Sequence, residues 1–208
     1  MNMHDALHAT LTRAFTSPFG DSHVPYTGVF HAAGELVVAT PNICLSALDT
    51  SEFLHFDEIP AGRHPVYAAV DDRIEAPDEC DEEYGPRVTA VAVVAAGVTA
   101  EQVAAASCES DGFAHLDPWS GVFALTGVER RDITLGEAAA EDYADYAEPR
   151  IRGLVASGQT VPVLDELIDP ATGANALVFL AAHAATCNGY VGRDEEGTVV
   201  CLIWAEFD

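Results

Sequence analysis

The feature that most constrains the fold is the carboxyl-terminal segment, residues 177–208. Val199–Trp204 is apolar without a break, which predicts a strand covered on both faces and therefore central in a sheet. Tyr190–Gly192 is a second run of strand-forming residues. The polar link between them, Arg193–Gly197, ends in glycine, which adopts a positive φ at little cost. The segment predicts a β-hairpin, with Leu177–Ala181 as a further strand.

Helical patterns are fewer. Met3–Phe15 has apolar residues at helical spacing and predicts a short amphipathic helix. Thr99 and Gln102 have the spacing of a capping box, in which the two side chains satisfy free amides at a helix start. We expect that helix to run to about Cys108. A longer helix is predicted for Leu135–Ala147, where acidic residues suit the positive end of the helix dipole.

Strand patterns fill most of the remaining chain. Gly28–Ala32 and Glu35–Ala39 flank an Ala-Gly pair, and this spacing predicts that the two strands form a hairpin with each other. Arg87–Ala96 is a long apolar run that predicts a buried strand. Asp111–Gly112 is typical of a turn, and one or two strands are expected in Phe113–Leu125.

Together these patterns predict a single α+β domain over residues 1–208. The expected architecture is a mainly antiparallel β-sheet, as a sandwich or an open barrel-like form, with a short amino-terminal helix and one or two further helices. Residues 1–20 are expected to form that first helix as an appendage. Residues 71–86 hold too little apolar surface to pack, so they predict a mobile acidic loop.

Charge restricts the class of partner. The chain has 34 acidic residues against nine basic ones, all of them arginine, for a net charge of −25. A surface of this sign repels phosphate backbones and anionic lipid, so nucleic-acid binding and membrane binding are disfavoured. Two interpretations remain: a solvated acidic shell, as in a GC-rich or salt-adapted bacterium, or a face that docks a partner protein with a basic face. The acidic residues of the predicted loop that would bind such a partner are Asp71, Asp72, Asp78, Glu79, Asp81, Glu82 and Glu83.

Cysteine usage and the absence of targeting patterns suggest a compartment. The five cysteines are odd in number and show no C-x-x-C spacing. The first residues lack the basic region of a signal peptide, and no apolar run reaches the length of a membrane helix. These observations predict a reduced, cytoplasmic protein with free thiols.

Several short motifs also occur in a fixed order along the chain. They are Gly34–Val38, Pro60–Gly62 leading into Pro65–Tyr67, the strand that begins near Val88, the turn region near Asp117, Gly189–Asp194, Gly197–Val200 and Phe207–Asp208. In this order they resemble the bacterial domain-of-unknown-function family 4241, over roughly Ala33–Asp208, most strongly at the carboxyl-terminal hairpin. The resemblance implies a bacterial, β-rich soluble protein and implies no established chemistry.

The chain departs from that family's pattern at its acidic positions. Ala39-Thr40-Pro41 lacks the aspartate of the family's Asp-Pro pair, and Leu116–Gly121 keeps one aspartate but loses the usual spacing. Thr186–Tyr190 keeps only the glycine and the tyrosine of a Gly-Asp-Gly-x-Tyr motif. If those acidic positions form a site in the family, the resemblance implies that this chain is a member that only binds.

Residues of catalytic type are present but sparse. Asp117, His183 and Cys187 are the candidates, because a thiol beside an imidazole can act as a nucleophile and a carboxylate as a base. Trp119 and Asn188 could line a cleft with them. Such a cleft would suit a small-ligand-binding protein or a metal-assisted hydrolase. A catalytic thiol, however, needs an electropositive surround, which this chain lacks.

Metal and cofactor patterns are not found in the sequence. The acidic loop does not have the spacing of an EF-hand. His183 and Cys187 could share one zinc ion only on a helix, and their flanking residues predict strand and loop. We therefore predict no metal and no cofactor. The first functional hypothesis is a non-catalytic interaction protein, with an immunity- or antitoxin-like accessory role. The cleft enzyme is the second, and a structural subunit of a homo-oligomer is the third.

Overall fold

The computed structural model describes most of the chain. The described residues are 1–12, 26–32, 36–39, 54–56, 59–71, 87–115, 122–126, 149–150, 153–154, 156–157, 163–180 and 186–206. The two helices assigned there are α1 (Met3–Thr12) and α2 (Ala100–Ala105). The strands are β1 (Tyr26–Ala32), β2 (Leu36–Ala39), β3 (Leu54–Phe56), β4 (Gly62–Asp71), β5 (Arg87–Val94), β6 (Ser107–His115), β7 (Val122–Thr126), β8 (Val163–Asp169), β9 (Ala174–Leu180), β10 (Thr186–Arg193) and β11 (Val199–Glu206).

The strands form two antiparallel sheets. The six-stranded sheet has the order β1-β4-β5-β11-β10-β6, and the five-stranded sheet has the order β3-β2-β7-β9-β8. The predicted α+β class with mainly antiparallel sheet is therefore confirmed. The predicted hairpin is β10–β11, and its second strand lies between β5 and β10, as the unbroken apolar run indicates.

Apolar side chains cover both faces of the six-stranded sheet. One face packs against the five-stranded sheet through Trp204, Leu202 and Val91 on one side and Leu177 and Phe179 on the other. This sheet-on-sheet core makes the fold a β-sandwich, in which alternate residues of each strand point inward.

The opposite face of the six-stranded sheet packs against the helices. It carries small side chains such as Ala90 and Ala92, which let the helices approach the sheet closely. α1 contributes Ala6 and Leu7, both fully buried. α2 contributes Val103, and the hydroxyl of Thr10 donates a hydrogen bond to the Val103 carbonyl oxygen. The molecule thus has three layers: helices, six strands and five strands.

The start of α2 follows the sequence prediction, but its end does not. The Gln102 amide donates to Thr99 Oγ1 at 3.3 Å, and the Thr99 amide donates to Gln102 Oε1 at 2.9 Å, which completes the capping box. The expected extension to Cys108 is wrong, because the chain enters β6 at Ser107. The turn expected at Asp111–Gly112 is also wrong, since both residues lie within β6. Hydrogen bonding to β10 outweighs the weak local preference of this polar segment.

The pairing of the first two strands also differs from the prediction. Gly28–Ala32 and residues 36–39 are strands, yet they lie in different sheets: β1 pairs with β4, whereas β2 pairs with β3 and β7. Phe30 of β1 is fully buried in the core between the sheets. Burial of that ring favours the pairing of β1 with β4, and a turn pattern in the sequence between β1 and β2 holds no information about such burial.

The helix predicted for residues 135–147 lies outside the described residues. Within the described part of the chain, neither helix is long and apolar enough to cross a membrane.

Candidate functional site

The structure describes only some of the residues that the sequence singles out. Asp117, Trp119 and His183 lie outside the described residues, as do the loop acids from Asp72 to Glu83. Asp71 is the last residue of β4 and pairs with Arg87. The candidate cleft near Asp117 and His183 therefore stays a prediction.

Two candidate residues lie on β10. Cys187 pairs with Ala114 of β6, and its neighbour Asn188 pairs with Phe113. Asn188 is half-buried within the sheet. Their positions in the ladder place both residues next to β6, the last strand of the six-stranded sheet.

The turn between β10 and β11 is held by its own hydrogen bonds. Asp194 Oδ1 accepts from the amide of Glu196 at 3.1 Å and from the amide of Thr198 at 2.7 Å. Gly197 has φ +81°, a conformation that L side chains rarely adopt. The turn leaves the side chains of Glu195 and Glu196 exposed. It is a well-defined projection that carries negative charge.

β6 lies directly beside this turn. Its first residue, Ser107, pairs with Arg193, the last residue of β10 before the turn. Ser107, Glu109 and Ser110 are exposed, and Cys108 is half-buried. Four acidic residues therefore belong to this end of the six-stranded sheet: Glu109, which pairs with Val191, and Asp194, Glu195 and Glu196 of the turn. We call these four residues the acidic end of the sheet.

The far edge of the same sheet is closed by a side chain. Asn175 of β9 lies beside β1, where its Oδ1 accepts from the His31 amide at 2.8 Å and its Nδ2 donates to the Val29 carbonyl at 2.9 Å. The same Nδ2 donates to Asp165 Oδ1 at 2.8 Å. The amide of Asn175 thus takes the place of a neighbouring strand along β1. Gly173 (φ +77°) allows this approach, since a Cβ there would lie 3.0 Å from His31 Nδ1.

The buried histidine has a structural role. His64 is almost fully buried, its Nε2 lies 2.8 Å from the Pro60 carbonyl oxygen, and its Nδ1 accepts from the Ala96 amide at 3.3 Å. An acceptor at one ring nitrogen and a donor at the other require a neutral ring with the proton on Nε2. Both nitrogens are used, so His64 has no free position with which to act as a base.

The two described free cysteines are also unsuited to catalysis. Burial raises the pKa of the Cys201 thiol to about 12, with a smaller contribution from Cys108. Burial and then the charge of Glu109 raise the pKa of Cys108 to about 11. Both thiols are therefore protonated at neutral pH, and the thiolate is the reactive form. Burial likewise raises the pKa of the neighbouring Tyr190 to about 12. Among the described residues, no three His, Cys, Asp or Glu side chains are grouped so as to hold a metal ion.

Close packing beside these thiols yields a testable prediction at Gly192. A Cβ on Gly192 would lie 2.5 Å from Cys201 Sγ, its partner across the ladder. Gly192→Ala should therefore destabilise the protein by about 1–3 kcal/mol through overpacking. In the Cys201→Ala background the same substitution should cost at least about 1 kcal/mol less, because the two sites are coupled. Urea unfolding followed by circular dichroism measures both values, and equal costs in the two backgrounds would contradict this packing.

The described acidic side chains at this end of the sheet form a negatively charged surface. The sequence predicted the turn of the hairpin, but it did not predict that Glu109 lies on a strand beside that turn. Edge strands are exposed and polar, so they lack the apolar alternation that marks a half-buried strand. The one sequence signal for a strand at β6 was that this segment follows the strongly apolar β5 closely in the chain.

No family model, curated protein or solved structure matches the chain. Membership of the uncharacterised family 4241 stays a prediction from the sequence, and what the chain does must be inferred from its own residues.

Proposed function

We propose that this chain is a non-catalytic binding protein that docks a partner protein with a basic face through the acidic end of the sheet. The observation that carries the proposal is the placement of Glu195 and Glu196 on a hydrogen-bonded turn that follows β10, whose neighbour β6 carries the exposed Glu109. A fixed backbone presents these charges together, so a partner does not have to order the loop on binding.

The overall charge supports the same conclusion. A net charge of −25 attracts a basic protein over distances of the order of the Debye length and speeds its encounter. The described thiols and the buried histidine offer no competing chemistry, because the thiols are protonated and His64 uses both ring nitrogens. An accessory role that neutralises a basic protein, as in immunity or antitoxin proteins, fits this combination.

The proposal is tested by charge-matched variants. In the first, Glu109, Glu195 and Glu196 are each replaced by Gln; in the second, Asp78→Asn, Glu79→Gln and Asp81→Asn remove three charges from the sequence-predicted loop. Each variant changes the net charge from −25 to −22 (−25 + 3). The probe is a short poly-lysine peptide, and its affinity is measured by calorimetry at low and at high ionic strength.

We expect the first variant to weaken binding about tenfold at low salt, since an exposed ion pair contributes about 0.2–1 kcal/mol and about 1.4 kcal/mol corresponds to tenfold. The loop variant should lose less, and high salt should reduce the difference between the variants. Equal losses in the two variants would show that only net charge matters and would contradict docking at the acidic end of the sheet.

A further inference from the structure

β6 ends the six-stranded sheet, and no strand of the described residues pairs with its outer edge. In the described part of the chain, the one strand hydrogen-bonded to β6 is β10. Ser107, Glu109 and Ser110 of this strand are exposed. An open edge of this kind presents backbone donors and acceptors to another chain.

The register shows which backbone groups face outward. The Ala95 amide donates to the Val200 carbonyl at 2.9 Å, so the backbone of Val200 points towards β5. The direction of the backbone amide and carbonyl groups alternates along a strand, so those of Cys201 point towards β10. Those of its ladder partner Gly192 point back towards β11.

The backbone amide and carbonyl groups of Gly192 therefore point away from β6. Those of its ladder partner on β6, Cys108, must in turn point away from β10. The same holds for Ser110, which lies opposite Tyr190. The amide and carbonyl groups of Cys108 and Ser110 consequently lie along the open edge. Two residues at alternate positions with outward amide and carbonyl groups offer the backbone hydrogen bonds that an added strand requires.

The opposite edge of the same sheet shows the contrast. On β1, the outward groups of Val29 and His31 are hydrogen-bonded to the amide of Asn175. One edge is thus closed by a side chain, whereas no such side chain lies along Ser107–Ser110 in the described residues. The difference marks the β6 edge as the place where this sheet can be extended.

Charge selects the segment that can add. Glu109 is exposed on the strand itself, and Glu195 and Glu196 are exposed on the turn that follows Arg193, the ladder partner of the first residue of β6. A second copy of this chain would bring like charges together at the edge, which disfavours self-pairing. A strand with Lys or Arg at alternate positions would instead place its cations on the side of Glu109.

We propose that the outer edge of β6 accepts an extended basic segment of a partner protein by β-strand addition. This inference rests on the proposed function and specifies how the acidic end of the sheet engages its partner: backbone hydrogen bonds to Cys108 and Ser110 align the segment, and Glu109 selects its charge. Binding then depends on the partner's amide groups as well as on its cations.

The first test separates backbone pairing from charge. The probe is an octapeptide of alternating Lys and Val, blocked at both ends, and the control is the same peptide N-methylated at every second residue. N-methylation removes the amide donors of one edge and keeps every charge. We expect the methylated peptide to bind at least about tenfold more weakly, because each lost backbone hydrogen bond lowers affinity.

Equal affinity of the two peptides, with binding that weakens in salt, would overturn strand addition and leave the proposed function standing. Absence of binding by either peptide at low salt would overturn both.

The second test changes the edge itself. Proline is tolerated on an edge strand where its missing amide faces outward, so Ser110→Pro should preserve the fold and block the added strand, whereas Ser110→Ala should bind the unmethylated octapeptide as the parent chain does. Circular dichroism and the thermal midpoint check that both variants are folded. A folded Ser110→Pro variant with unchanged affinity would contradict the proposal, and if this variant does not fold the methylated peptide decides alone.

Discussion

Trp204→Ala is expected to destabilise the protein by about 3–5 kcal/mol, the usual cost of deleting a large buried aromatic side chain. Trp204 is the largest fully buried side chain among the described residues and lies in the core between the two sheets. Its strand is central in the six-stranded sheet, so the surrounding backbone cannot collapse into the cavity. Since domains are stable by only about 5–15 kcal/mol, the loss takes a large share of the free energy of unfolding.

Urea unfolding followed by far-ultraviolet circular dichroism measures this loss. Trp204→Phe is the matched control, because it keeps an aromatic ring in the core and should cost clearly less than the alanine variant. A loss below about 1 kcal/mol for Trp204→Ala would place the tryptophan outside the core and contradict the sandwich packing.

Asn175→Ala should have the second-largest effect, a destabilisation of about 2–4 kcal/mol. The substitution removes three hydrogen bonds and leaves the Val29 carbonyl and the His31 amide without the group that now closes the edge. A part-buried polar group that loses its partner costs about 1–3 kcal/mol. The amide joins the five-stranded sheet to β1, so its loss should loosen the junction between the sheets.

Asp165→Ala is the control for this prediction. It removes only the hydrogen bond between Asn175 Nδ2 and the exposed carboxylate, and it should cost less than about 1 kcal/mol. Hydrogen exchange adds a local readout, because the His31 amide should lose protection in Asn175→Ala and keep it in Asp165→Ala. Equal stability losses, or unchanged exchange at His31, would show that Asn175 does not hold the edge.

Elements with strong local signals could be predicted from the sequence. The apolar run Val199–Trp204 and the polar link before it identified a central hairpin, because a strand buried on both faces has no polar side. Thr99 and Gln102 identified the start of α2, since a capping box needs only residues three apart.

Elements defined by distant partners could not be predicted. β6 is polar over Ser107–Asp111, so its sequence resembles a helix end and a turn until β10 supplies the hydrogen bonds. β1 and β2 have the spacing of a hairpin, yet they lie in different sheets. Burial of Phe30 in the core between the sheets outweighs the local turn preference.

The candidate site divides in the same way. The sequence alone determined the sign and the amount of charge, the central hairpin and the exposed acids of its turn, because these depend on composition and on neighbours in the chain. Only the tertiary structure decided that Glu109 lies on the strand next to that turn, that Asn175 closes one edge of the sheet and that no described strand pairs with the outer edge of β6. An edge exists only once the order of strands is set, and that order follows from burying apolar faces contributed by residues far apart in the chain.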